Sequence, residues 1–368
     1  MPKNLRLKFK LRSTKTDWYL ITTVISLVLF GVLMVFNASS ISALTDFGNK
    51  FYYLREQSKW VIIGVLGLLY ASFFDYKKYF YLALPLLLVC LLLLILVFVP
   101  GLGVNALGAH RWINFHLFIL QPSEFTKLSL IIYLSAWFSQ KEKKRFFAFL
   151  LLLAMIVGLI ILQPDMGTGV VLVSISLILY FVSGAPLMHF GVFLPLGFMA
   201  GVFLAITSPY RLNRVLTFFN SSRDPLGASY HVRQILIALG SGGLLGLGFG
   251  KSRQKFAYLP EATTDSIFAI IAEELGFIGS TILILVFLFL IYRIFSIAKR
   301  APDNFGRLLA VGIGSWFAMQ IIINLGAMVA LIPLTGIPLP FISYGGSSLV
   351  VALFAVGILI NIKRQGKT

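Results

Sequence analysis

The stretch YLPEATTDSIFAIIAEELG, residues 258–276, gathers Glu261, Asp265, Glu273 and Glu274 where an apolar segment begins, with the hydroxyl of Thr264 beside them. An ionisable side chain inside a membrane span costs about 2.5–3.5 kcal/mol on insertion scales, so it usually faces a cavity or a partner. Proton transfer is the chemistry a carboxylate offers there, with nearby cations to receive an anion. Three further motifs supply charged groups. GAHRWINF (108–115) contains Arg111 and Trp112, and QPDMGTG (163–169) contains Asp165. QPSEFTK (121–127) sets Glu124 and Lys127 three apart on one helical face, where they can pair.

Each motif also has a plainer structural meaning. Glu124 and Lys127 can form an ion pair and no more. Arg111 and Trp112 can anchor the chain at headgroup depth. Glu273 and Glu274 can bond backbone or neighbouring helices. Asp265 can be an acid at a helix start, with Thr263 or Thr264 as the cap.

The elements that must position these groups are membrane helices. Of 368 residues, 58% are hydrophobic and only 12% charged, far from the quarter-charged average of soluble domains. Apolar windows predict ten spans near 18–40, 58–74, 79–100, 122–140, 146–163, 167–184, 187–208, 264–292, 307–331 and 343–361. The expected fold is all-α and integral to the membrane. A basic cytoplasmic tail (1–17) precedes one ten-helix domain (18–361), and a second tail (362–368) follows it.

An even number of spans puts both termini on one side. With that side cytoplasmic, nineteen of the 31 Lys and Arg fall on inner segments, whereas the short outer loops hold only Lys50, Arg55, Lys59 and Arg111. The positive-inside rule supports that orientation. No small-residue cleavage site follows the first apolar run, so the basic start is expected to be a tail rather than a signal peptide.

The segment 209–263, between spans seven and eight, is long and basic, carrying Arg211, Arg214, Arg223, Arg233, Lys251, Arg253 and Lys255. Around SYHVRQILIAL its apolar residues recur at helical spacing, which predicts a helix lying in the interface. A structured extracytoplasmic loop is expected.

Several classes are excluded. The net charge of +18 is dispersed in clusters between apolar runs, which argues against nucleic acid. GLGFGKS (246–252) lacks the glycine spacing of a nucleotide loop. His110, His116, His189 and His231 show no metal-ligand spacing, and Cys90 is alone in an apolar run. PLTGIPLPFISYGGSS (333–348) is too rich in Pro and Gly for a plain helix, so irregular backbone lining a cavity is expected.

Together, MVFNASS, GAHRWI, QPSEFTKL, QPDMGTG, GSGGLLGLGFGKSRQKFAYLPEATTD, AEELGFIG and PLTGIPLPFISYGGSS occur in the order found in the SEDS family (shape, elongation, division and sporulation proteins). The chain resembles that family over nearly its whole length, and its FtsW and SpoVE branches more than RodA. The resemblance implies ten spans and peptidoglycan glycosyltransferase activity, polymerising lipid II outside the bacterial cytoplasmic membrane. A class B penicillin-binding protein and other division-complex membrane proteins are the implied partners.

The family's essential carboxylate falls on Asp265, its Arg-Trp motif on Arg111 and Trp112, and its Glu-x-x-Lys on Glu124 and Lys127. The chain departs from the usual His-Thr-Asp-Phe, reading Thr263-Thr264-Asp265-Ser266.

The implied chemistry needs little. Pyrophosphate leaves without protonation, so Asp265 is expected to act as general base on the acceptor's 4-hydroxyl in an inverting displacement. Arg111, Lys127 and outer basic residues such as Lys251 would hold pyrophosphate. Trp112, Glu124, Asp165, Glu261 and Thr264 complete the expected substrate-binding set. No cofactor is demanded, although a divalent cation (Mg or Mn) bridging Asp265 and pyrophosphate is compatible with it. A lipid II flippase and a non-catalytic division scaffold are the alternatives.

Overall fold

The computed structural model describes residues 16–106, 109–115, 118–140, 145–207, 212, 228–256 and 258–366. Most of the first tail, Lys141, Lys143, Lys144, His116 and Arg211, Arg214 and Arg223 of the long segment therefore lie outside the described residues. Among the described residues, ten helices of 17 residues or more form one bundle. They are α1 (Trp18–Phe47), α2 (Tyr52–Phe73), α3 (Lys78–Leu96), α4 (Pro122–Ser139), α5 (Phe146–Leu162), α6 (Met166–Val182), α7 (Phe190–Ile206), α9 (Ile267–Lys299), α10 (Asn304–Met328) and α11 (Gly346–Gln365). A shorter helix, α8 (Ala228–Ser241), lies in the long segment where the apolar spacing predicts one.

Helices α1, α3, α9, α10 and α11 are long and apolar enough to cross a membrane, and α5 and α6 are apolar but shorter. The architecture is that of a multi-pass membrane protein. Helix α3 illustrates the solvent: Leu84, Leu88 and Leu92 are exposed while Ala83, Leu87 and Leu94 are buried, so apolar side chains face both the bundle and the surroundings. Helix α10 is the central post. Its Leu308, Ile313, Trp316 and Phe317 are buried, and α4, α6, α9 and α11 pack around it.

One element departs from an all-α expectation. Residues between α3 and α4 form a three-stranded antiparallel sheet, β1 (Gly103–Ala106), β2 (Ala109–Asn114) and β3 (Ile119–Leu120), in that order. Strands this short carry too little alternation to register as a pattern.

A second departure is that span eight is broken. Gly276 in α9 has φ 67° and ψ −167°, a conformation reserved for glycine. The glycine run after α8 lies directly across this break. Leu247 and Gly248 N–H donate to Glu273 and Glu274 carbonyls at 3.0 Å, and Phe277 N–H donates to the Gly243 carbonyl at 2.9 Å. A broken helix is tolerated at membrane depth where protein backbone satisfies the freed groups, as here.

At the opposite end of the bundle Asp17 caps α1 through Leu20 N–H and pairs with Arg293 at 2.6 Å. The Tyr76 hydroxyl donates to Asp303 at 2.6 Å, and burial together with that carboxylate holds it well above the ordinary phenol range.

Candidate active site

Asp265 lies in the turn 261–266 that leads into α9, with its side chain 8% exposed. Four successive residues of this turn are each held by a different group. Tyr344 N–H donates to the Thr263 carbonyl at 2.8 Å, and the Ser343 hydroxyl donates to the Thr264 carbonyl. The Asn324 amide donates at 2.8 Å both to the Asp265 carbonyl and to that of Ile337. The Ser266 hydroxyl and His231 Nε2 are 2.7 Å apart. The turn is thus gripped from segment 333–345, from α10 and from α8.

Within the turn, the Thr264 hydroxyl lies 2.7 Å from Glu261 Oε2 and 3.3 Å from Asp265 Oδ1, bridging the two carboxylates. Glu261 adopts φ 50°, and its carbonyl accepts from Thr264 and Ser266 N–H, closing the turn. The expectation that Thr263 or Thr264 caps the helix is corrected. Ser266 is the residue at the cap, and its side chain makes no cap bond; its hydroxyl meets His231, while the Thr264 hydroxyl is committed to the carboxylates.

Segment 333–345 has the irregular, buried backbone that its Pro and Gly content predicts. Ile337, Leu339, Phe341 and Ile342 are buried. A Cβ on Gly336 would come within 4.0 Å of Asp265 Oδ2, so this backbone passes directly by the carboxylate.

The other motifs reach the same segment. Asn324 and Gln320 are four apart on α10, about 6 Å along one face. Gln320 donates to the Pro338 carbonyl at 2.9 Å and accepts from Trp316 Nε1 at 2.6 Å and Lys127 Nζ at 3.4 Å. Lys127 in turn pairs with Glu124 at 2.8 Å, both 2% exposed, as their spacing predicts. The remaining Glu124 oxygen has no hydrogen-bond partner among the described residues.

Arg111, on β2, donates to the carbonyls of Gln163 and Pro164, and Trp112 beside it pairs with Val104 across the sheet. Asp165 caps α6 through Thr168 N–H at 3.2 Å. Two residues on, Gly167 packs so closely that a Cβ would lie 2.6 Å from the Thr335 carbonyl. A continuous path therefore runs from Arg111 through 163–167 and 335–337 to Asp265.

Glu273 and Glu274 are structural clamps. Glu274 accepts from Gly250 N–H (2.9 Å), Ser252 N–H (3.1 Å) and the Asn37 amide, and lies 3.6 Å from Lys255. Glu273 accepts from the Ser252 hydroxyl and from Arg253 N–H at 3.1 Å. The amides a phosphate loop would need at GLGFGKS are thus taken by the protein itself, those of Gly250 and Ser252 by the Glu274 carboxylate and those of Gly246, Leu247, Gly248 and Lys251 by backbone carbonyls. Lys251, on the outside of that loop, is exposed.

His231, Gln320, Asn324 and Ser343 were not singled out by sequence. Gln320 and Asn324 carry a usable signal, two amides at i and i+4 inside an apolar run. His231 carries none. An apolar groove of about 810 Å³ opens between α8, α9 and α10, lined by Leu239, Phe268, Ala272, Phe277, Ile321 and Leu325 among others. Phe268 stands one turn from Asp265.

The chain matches the model of the cell cycle protein family FtsW/RodA/SpoVE over residues 17–368. The chain belongs to that family. This FtsW/RodA/SpoVE protein is 43% identical to stage V sporulation protein E of Bacillus subtilis (strain 168), over 97% of its own length and 99% of the relative's. It is 41% identical to a probable peptidoglycan glycosyltransferase FtsW of Trichlorobacter lovleyi, covering 97% and 95% of the two chains.

Among solved structures, RodA of Thermus thermophilus superposes with TM-score 0.70 at 30% identity, over 95% of this chain and 97% of that one. A chain from the structure described as "Structural coordination of polymerization and crosslinking by a peptidoglycan synthase complex" superposes with TM-score 0.79 at 30% identity, over 95% and 98%.

In this FtsW/RodA/SpoVE protein the buried Lys127–Glu124 pair has a testable cost. Lys127→Met leaves an uncompensated carboxylate in the wall and is expected to destabilise by about 3 kcal/mol. The thermal midpoint in detergent should fall accordingly, and Glu124→Gln/Lys127→Met should recover most of it. A single variant that melts with wild type would show the pair to be dispensable.

Proposed function

We propose that the protein is a peptidoglycan glycosyltransferase that polymerises lipid II at the outer face of the bacterial cytoplasmic membrane, with Asp265 as general base. One observation carries this reading. A carboxylate sits in a turn whose four successive residues are separately anchored, one helical turn from Phe268 in the wall of an apolar groove, in a chain whose family relatives include probable peptidoglycan glycosyltransferases.

The acceptor's 4-hydroxyl oxygen attacks the donor's anomeric carbon as its proton passes to Asp265. The bond from that carbon to the pyrophosphate oxygen breaks, and its electron pair leaves with undecaprenyl pyrophosphate. One base suffices, since the leaving group is already a stable anion.

The apolar groove accepts an isoprenoid chain, which brings the sugar–phosphate end to the turn 261–266. Arg111, beyond the two carbonyls it holds, and the exposed Lys251 face the pyrophosphate. Lys127 contributes from the wall, where Glu124 and Gln320 hold it. Glu261 and Asp265, which share the Thr264 hydroxyl, are the two carboxylates that would hold a magnesium or manganese ion. Such an ion would neutralise charge on the departing pyrophosphate.

A crosslinking transpeptidase of the class B penicillin-binding type is the proposed partner, in keeping with the polymerising and crosslinking complex that the fold matches. Both termini are assigned to the cytoplasm from the charge bias of the loops.

The test is reconstitution in liposomes with labelled lipid II, with and without the transpeptidase. Glycan polymer is expected. Transbilayer movement without chain growth would establish a flippase instead, and neither activity would establish a scaffold.

A further inference from the structure

The Ser266 hydroxyl is in an unusual position. A serine at a helix start ordinarily accepts a bond from the amide two or three residues on, worth about 1 kcal/mol. Ser266 occupies that place on α9 without making the bond; it is fully buried, and its oxygen meets His231 Nε2 at 2.7 Å. The hydroxyl serves α8 rather than its own helix.

Helix α8 is also attached to α9 at a second place, the break at Gly276, where Phe277 N–H donates to the Gly243 carbonyl. Twelve positions separate His231 from Gly243 and eleven separate Ser266 from Phe277, so the two segments run side by side with a bond near each end. Between these bonds, Ile235 and Ala238 are buried and Leu236 and Ile237 are exposed, so one face of α8 is fully packed. The stretch of α9 braced in this way is the one that Asp265 leads into.

We propose that His231 is a positioning residue. From α8 it holds Ser266, and through Ser266 it fixes the turn that presents the Asp265 carboxylate to the acceptor hydroxyl. The proposal rests on Asp265 being the base. The other three anchors of the turn act on backbone carbonyls and come from α10 or segment 333–345. His231 is the anchor from α8, and it acts on a side chain adjacent to Asp265.

The experiment compares lipid II polymerisation kinetics of purified full-length wild type, His231→Ala, His231→Gln, Ser266→Ala, the double variant His231→Ala/Ser266→Ala and Asp265→Asn. Displacing a reacting group by an ångström costs up to about 100-fold in rate. His231→Ala and Ser266→Ala are each expected to lower kcat by about tenfold or more with KM little changed. The double variant should be no slower than the worse single one, because both remove the same bond. His231→Gln, whose amide nitrogen reaches the place of Nε2, should recover most of the rate.

Wild-type kcat in His231→Ala would overturn the proposal, as would a multiplicative loss in the double variant. If His231→Ala does not fold, the comparison of His231→Gln with Ser266→Ala decides: a slow Gln variant beside a normal Ser266→Ala removes His231 from the turn. An inactive Asp265→Asn with normal His231→Ala eliminates the positioning role alone. An active Asp265→Asn eliminates the base, and this proposal with it.

Discussion

Asp265→Asn is expected to lower lipid II polymerisation by about 10²–10⁴-fold while leaving the protein folded, the range that loss of a positioned general base produces. The variant is nearly isosteric. The grip on the turn survives it, because Asn324 bonds the backbone carbonyl of residue 265 and Ser343 that of residue 264. What is lost is the proton acceptor. Glycan product from purified protein, read against the thermal midpoint of the same preparation, separates chemistry from folding. Polymer at near wild-type rate would show that the proton leaves by another route. Asp265→Ala should be as inactive, with a somewhat lower midpoint, since it also removes one of the two carboxylates that the Thr264 hydroxyl bridges.

Gly276→Ala is expected to cost more than about 4 kcal/mol, beyond the range of ordinary substitutions. Two independent effects add. The backbone angles of Gly276 lie where an L side chain is strained. There is also no room: a Cβ would lie 2.2 Å from Gly246 N and 2.7 Å from the Leu244 carbonyl oxygen, both backbone atoms of the crossing segment. Neither can withdraw without losing the bonds that satisfy the broken helix. A large fall in folded yield and thermal midpoint is the outcome to measure. Gly158→Ala, in α5 with open space around it, is the control and should be neutral or stabilising by up to about 1 kcal/mol. Equal effects at the two positions would mean the crossing at the break is not tight.

These two positions bracket one mechanical unit. Asp265 precedes the first turn of α9 and Gly276 closes its third, so the break allows that short segment to follow α8 and the glycine run rather than the rest of the helix. A carboxylate at the head of a long continuous helix would be tied to the whole bundle. Here it is tied to a local frame formed by α8, α10 and segment 333–345.

Much of this was legible in the residues. Composition alone demanded a membrane fold, because a chain with so few charges has nowhere else to put its apolar surface. Hydropathy placed most helix ends to within a few residues, although α1 runs on to Phe47, α2 begins at Tyr52 and α9 runs on to Lys299. Isolated charges in apolar surroundings flagged the site, since each must find a partner or a cavity. The i, i+3 spacing of Glu124 and Lys127 was a local fact, and local facts survive folding.

Tertiary structure alone decided the rest. Whether Lys127 is exposed or sealed in a wall depends on Trp316 and Gln320, nearly 200 positions away, and no periodicity carries that information. The break at Gly276 depends on a glycine run 30 residues earlier lying across it. His231 gains meaning only from Ser266, whose hydroxyl could as well have capped its own helix. Sequence dictates which groups cannot be left in hydrocarbon unpaired; long-range packing chooses their partners, because many pairings satisfy the same local demand.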